Sequence, residues 1–207
     1  MTTLRKGWWG TDLGPYRPCE GTYCFFEESG LPALPPLDGT FSWLLTGPRE
    51  GSAAGVPSVA PPPEPVRVPD DPDLPAAYAT FLRRPELMTA IPSCTACYWS
   101  PATQPVPSPF GDGTRLLRFL SDQQDVLFWY LWLGVDGGHR VVCGSYPYHE
   151  VTVTAEQAAR DLVEVAPEFE AFCYRFWVEN LAWFEVNESG LDETSRTGAV
   201  QRYLASL

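Results

Sequence analysis

At 207 residues, with 44% hydrophobic and 14% aromatic side chains, the chain is long enough for one core rich in large rings. Its 14 basic and 26 acidic residues leave a formal charge of −12. That balance argues against docking on DNA, RNA or an anionic membrane, each of which needs a cationic footprint, and favours basic partners.

Residues 1–46 read as an irregular segment in which Trp8, Trp9, Tyr23, Phe25, Phe26, Phe41 and Trp43 stand as aromatic islands between Gly and Pro. Short hairpins packed on a larger body suit that pattern better than helices. The start, MTTLRKGWWGTDLGP, lacks the apolar stretch of a secretory signal, so a cytoplasmic location is expected. From 47 to 72 eight of 26 residues are proline and almost none is bulky, which reads as an extended tether.

An α+β domain is expected over 73–207. Leu74, Tyr78, Phe81 and Leu82 recur at helical spacing behind Pro75, so a short helix is predicted that ends before Pro85. Arg115 to Leu120, Asp125 to Leu133 and Arg140 to Gly144 are apolar runs separated by SDQQ and GVDGGH, which carry turn chemistry. They predict a three-stranded antiparallel meander over about 115–145. Both faces of the middle run are apolar, with Leu127, Trp129, Leu131 and Leu133 on one and Val126, Phe128, Tyr130 and Trp132 on the other. A strand of that kind lies at the centre of its sheet. The same run, VLFWYLWLGV, has 10 residues where a membrane-spanning helix needs about 20.

Thr154 is a predicted N-cap for a helix through AEQAARDLVEV that stops before Pro167. A second helix follows from Pro167 to Val186, with Phe169, Phe172, Cys173, Phe176, Trp183 and Phe184 on one stripe. Beside the stripe, Arg175 and Glu179 are spaced to pair at i, i+4. Asn180 falls within the stripe, where an unbonded amide costs about 1–3 kcal/mol, so it requires a specific partner. A last short helix is expected in TGAVQRYLASL. Between Glu150 and Glu193 there are 11 acidic and 2 basic residues, which concentrates negative charge in this quarter of the chain.

Cys94-Thr-Ala-Cys97 has the two-residue spacer of zinc and redox sites. The other half of a zinc site would have to come from Cys19 and Cys24, far upstream. In a chain of this size without a signal peptide, all six cysteines are expected as reduced thiols in a reducing compartment, with Cys94 and Cys97 the weak metal candidates. Neither His139 nor His149 sits in a nucleophile motif, and no glycine loop is built to cradle phosphate. No cofactor is called for, and the chain does not read as an enzyme. The turn Asp122-Gln123-Gln124-Asp125 reads either as simple turn chemistry or as a loop that displays carboxylates and amides to a partner.

In the order LPAAYATFL, LLRFLSDQQDVLFWYLWLGVDGGHRVV and FEAFCYRFWVENLAWF, the sequence resembles the SUKH superfamily of SMI/KNR-type proteins, in its actinobacterial branch. The likeness covers about 73–186 and implies an α+β domain with a mainly antiparallel sheet. It carries Tyr78 and Phe81, Trp129 and Tyr130, and Phe176, Trp177, Glu179 and Asn180 as structural positions, and no catalytic motif. It further implies non-catalytic protein binding, as in bacterial immunity proteins that neutralise toxin domains, often nucleases. Asp122, Gln123, Gln124, Asp125, Glu179 and Asn180 are accordingly the expected partner-binding residues, and a basic toxin domain is the expected partner. A scaffold or regulatory adaptor that uses the proline segment is the alternative, and a zinc or redox protein centred on Cys94 and Cys97 is a third.

Overall fold

The computed structural model describes residues 3–46, 56–64, 66–189 and 191–207. In chain order its strands are β1 (Arg5–Gly10), β2 (Cys24–Glu27), β3 (Tyr98–Trp99), β4 (Val106–Pro107), β5 (Arg115–Ser121), β6 (Phe128–Leu133), β7 (His139–Gly144) and β8 (Val163–Ala166). The helices are α1 (Ser42–Thr46), α2 (Ala76–Leu82), α3 (Pro85–Thr89), α4 (Ala155–Asp161), α5 (Phe169–Trp183) and α6 (Gly198–Leu204). One sheet runs β2-β1-β8-β7-β6-β5-β3, and β4 also pairs with β5. Among these strands every pairing is antiparallel except that of β1 with β8. The fold is thus α+β with a mainly antiparallel sheet, and β5, β6 and β7 form the meander at its centre.

The two-faced apolar pattern of β6 does what alternation requires, because successive side chains leave a strand on opposite sides. Trp129, Leu131 and Leu133 join the core beneath α2, α3 and α5, together with Phe81, Leu87, Phe169 and Phe172. Phe128, Tyr130 and Trp132 join a second core on the other face, covered by Tyr148, Val153, Ala158 and Leu162. All six β6 residues are buried. The strand starts later than Asp125, however. Asp125 has a φ of 54°, and its N–H donates to the Asp122 carbonyl at 3.0 Å, so the turn runs on and leaves Val126 44% exposed.

Thr154 caps α4 as its sequence position suggests. The Gln157 N–H donates to Thr154 Oγ1 at 3.2 Å, and the Thr154 N–H donates back to Gln157 Oε1 at 3.0 Å. The helix is shorter than expected and ends at Asp161; Val163–Ala166 is instead strand β8, between β7 and β1. Four residues of Val-Glu-Val-Ala satisfy either period, and the open edges of two strands decide in favour of the sheet. Helix α5 is narrower than the 167–186 span, and past Trp183 the backbone widens into a π turn over Phe184–Glu188. Its outer side is also buried: Val178, Leu181 and Ala182 pack with Leu13, Val200, Tyr203 and Leu204.

Two parts of the chain that read as peripheral are built into the body. The aromatic N-terminal segment does form a hairpin, β1 with β2, but that hairpin extends the sheet by two strands, and Trp8 and Phe41 lie in the main core. The described residues of the proline stretch run along the body as a strap. The Val59 N–H donates to the Ile91 carbonyl at 2.8 Å, Val59 is fully buried, and Asp71 pairs with Arg115. Residues 47–55 and 65 of the expected tether lie outside the described residues.

Truncating Trp129, which is buried between the sheet and α5, removes a large ring from a packed interior. Trp129→Ala is expected to lower the unfolding free energy by about 3–5 kcal/mol in urea titrations. Val126→Ala, at an exposed side chain on the turn, is expected to change it by less than about 0.5 kcal/mol.

Candidate protein-docking end of the sheet

Three loops distant in sequence meet at one end of the sheet, over the C-terminal half of α5. The first joins β1 to β2, the second holds Cys94 to Cys97, and the third is the β5–β6 turn. Asp12 Oδ1 shapes the first by accepting from the Gly14 and Cys19 N–H groups at 3.1 Å each, and Gly14 takes a φ of 60° that glycine reaches without strain. In the second, the Cys97 N–H donates to Ser93 Oγ at 2.9 Å and Ala96 has a φ of 54°. In the third, Asp122 Oδ2 accepts from the Gln124 N–H at 2.9 Å, the side-chain-to-backbone bond typical of aspartate in turns.

Tyr23 ties the three together. Its hydroxyl donates to Asp122 Oδ1 at 2.7 Å, and its oxygen lies 2.8 Å from Thr95 Oγ1 and 3.6 Å from Cys97 Sγ. Its ring meets Trp129 edge-on at 6.4 Å. Burial, followed by the neighbouring Cys97, raises the phenol well above its usual range, so it stays a neutral donor.

The expected partner-binding residues do converge here, but they divide into two groups. Asp122 and Glu179 are each 2% exposed and Asn180 is 6% exposed, and all three are engaged internally. Asn180 Oδ1 accepts from the Cys94 N–H at 2.8 Å while Nδ2 donates to the Phe176 carbonyl at 2.8 Å, which supplies the partner its position requires. Glu179 does not pair with Arg175. It accepts from Arg17 Nη1 at 2.7 Å, Arg17 Nη2 at 2.5 Å, Trp8 Nε1 at 2.7 Å and the Tyr203 hydroxyl. Burial works against the Arg17 charge, but Glu179 outweighs it and holds the guanidinium above its usual range. Arg175 turns instead to the Tyr203 hydroxyl and the Pro32 carbonyl, both at 2.9 Å. Gln123, Gln124, Asp125 and Val126 remain exposed on the turn, and Asp125 Oδ1 accepts from the Tyr98 hydroxyl at 2.9 Å.

The cysteines differ from expectation. Cys19 and Cys24 are joined in a disulfide across the β1–β2 loop, with Cα atoms 5.7 Å apart, so these two are not reduced thiols. The hairpin pairing of Cys24 with Gly10 and the Asp12 bond to Cys19 bring the two ends of the loop together. Cys94, Cys97, Cys143 and Cys173 are free thiols. Burial pushes the Cys94 thiol up to about 12 and raises Cys97 as well, the reverse of the shift that makes a nucleophilic thiolate. Among the described residues no group of three or more His, Cys, Asp or Glu is placed to hold a metal ion. The space between Trp8, Tyr23, Phe176 and Glu179 is about 10 Å³, room for one water at most.

Larger hollows lie elsewhere, among them one of about 370 Å³ at the β6–β7 turn, beside Trp132, Val135 and His139, and one of about 600 Å³ between the strap and β3, beside Pro62, Arg67 and Tyr98. Burial lowers the His139 pKa, which keeps the imidazole neutral.

Sequence reasoning passed over Tyr23, Trp8, Arg17 and Tyr203, which tie this end of the sheet together. The local signal was slight: Arg17 is a lone cation in a Gly- and Pro-rich stretch. No family model, curated protein or solved structure matches the chain. No helix among the described residues is long and apolar enough to cross a membrane.

Glu179→Gln removes the charge that balances buried Arg17 and is expected to cost about 3–5 kcal/mol of stability by chemical denaturation. Because the folded Cys94 pKa is raised from 9.0 to about 12, its contribution is complete below pH 9 and is lost as pH rises toward 12. Alkylation of the oxidised native chain, followed by mass spectrometry, is expected to leave Cys94 and Cys97 unmodified at pH 8 and to modify them only as the alkaline limb is entered.

Proposed function

We propose that this chain is a non-catalytic protein-binding domain, an immunity-type inhibitor of the SUKH kind, that engages a basic toxin domain with the β5–β6 turn. The observation that carries the reading is the exposed tip Gln123-Gln124-Asp125-Val126 on an inward-facing anchor, Asp122. A tip held in this way loses little conformational freedom when it meets a partner. It offers one carboxylate, two amides and one apolar side chain.

Surface charge supports the same class of partner. Among the described residues sixteen acidic side chains are exposed against six basic ones, so a basic protein is drawn in over the whole surface. The concentration of acids in 150–193 contributes less than its number suggests, because Glu164, Glu170, Glu179 and Glu185 are buried. The proline stretch gives the adaptor alternative little support, since its described residues are packed on the body.

Co-expression with the toxin encoded beside the gene is expected to restore growth, and the two proteins to copurify; a neighbouring toxin that kills regardless sinks the proposal. Asp125→Lys is expected to slow association several-fold at low salt and much less near 0.5 M salt, where the screening length falls to about 4 Å. A flat salt response excludes the turn as the contact. Asp122 is unsuited to that test because its replacement disturbs Tyr23.

A further inference from the structure

We propose that Cys19–Cys24 is a reversible thiol–disulfide site, exchanged by a cellular dithiol, that latches Tyr23 over Cys97 and the Asp122–Asp125 turn. The bond lies at the sheet margin, with both cysteines half-buried rather than enclosed, so a reductant reaches a sulfur without unfolding the domain. Only four residues stand between the cysteines, and Tyr23 is the last of them, directly bonded to Cys24. Its position over the three loops is held by its own bonds to Asp122 and Thr95 and, through Cys24, by a short closed ring.

Each end of that ring also has an anchor that does not involve sulfur. The Cys19 N–H donates to Asp12 Oδ1, and Cys24 pairs with Gly10 in the hairpin. Breaking the bond consequently leaves β2 in the sheet and releases residues 20–23. When Tyr23 withdraws, Asp122 loses its phenol donor and Cys97 loses its cover, while Cys143 and Cys173 remain fully buried in the core. The effect on the turn is independent of whether the turn meets a toxin.

The chemistry balances as a two-electron exchange. A thiolate of the dithiol attacks one of the two sulfurs, forms a mixed disulfide and displaces the other cysteine, which takes a proton. The second thiol of the reductant then closes on its own sulfur, leaves as an oxidised cyclic disulfide and releases the remaining cysteine as a thiol. The chain gains two electrons and two protons, and the reverse exchange restores the latch.

The test compares the oxidised full chain, the same chain after reduction by dithiothreitol and removal of the reductant under inert gas, and the double variant Cys19→Ser/Cys24→Ser. Each is treated with N-ethylmaleimide at pH 7.5 and the label on every cysteine is followed by peptide mass spectrometry. Cys94 and Cys97 are expected to label about tenfold faster or more in the reduced chain and the variant, with Cys143 and Cys173 unchanged, the signature of local opening. Equal rates at Cys94 and Cys97 in all three forms overturn the latch, and so does a parallel rise at all four cysteines, which marks global opening. Conversion of the pair in glutathione buffers of varied ratio is expected to be complete in both directions; a pair that holds one state throughout overturns its reversibility.

Discussion

Two carboxylates on α5 hold the fold together, and the rest of the architecture depends on their being satisfied inside it. Glu179 takes four hydrogen bonds from Trp8, Arg17 and Tyr203, and Glu170 takes the N–H groups of Gly39 and Phe41 and the indole of Trp43. A buried carboxylate without such donors is costly, so α5 can pack between the sheet and α6 only when the N-terminal segment wraps round it. That wrap also bends the backbone: Phe41 has a φ of 58°, uncommon for a bulky residue, and Glu170 bonds to its N–H at that point.

Those bonds change the meaning of the chain's charge. An acid-rich helix ordinarily presents an acidic face, whereas here the acids of α5 are internal fasteners and the surface excess is spread mainly over loops, with Glu86 on α3 and Glu156 on α4. The same division runs through the β5–β6 turn, where Asp122 is bonded inward and Gln123 to Val126 are exposed. The proposed contact with a basic protein falls to the residues that the internal bonding leaves over.

Local pattern carried much of the fold. Alternation marked the meander, Thr154 three residues before Gln157 marked a cap, and an amide in an apolar stripe marked Asn180 as bonded. What the sequence hid is nonlocal or ambiguous at short range. Val163–Ala166 carries too few residues to choose between periods until its neighbours in the sheet are known. Glu179 had an arginine at i−4, and local spacing made that pair attractive, yet its partner is Arg17, 162 residues upstream. The Cys19–Cys24 bond is hidden in the sequence because its two ends meet only once the β1–β2 hairpin has formed. Of the candidate site, Asp122 to Asp125 and Asn180 were legible as polar residues out of pattern, whereas Tyr23, which organises them, looks like any other aromatic in a loop.

The parallel pairing of β1 with β8 sets the order in which the molecule can be completed. β1 has no parallel neighbour until residues 163 and 164 have been made, and Trp8 has no carboxylate to donate to until Glu179 follows. Until then Trp8, Trp9, Phe25 and Phe26 are an apolar hairpin without the rest of its sheet, the kind of exposed surface that invites misassembly or a chaperone. A chain cut short before β8 would thus lack both the strand and the carboxylate that β1 needs.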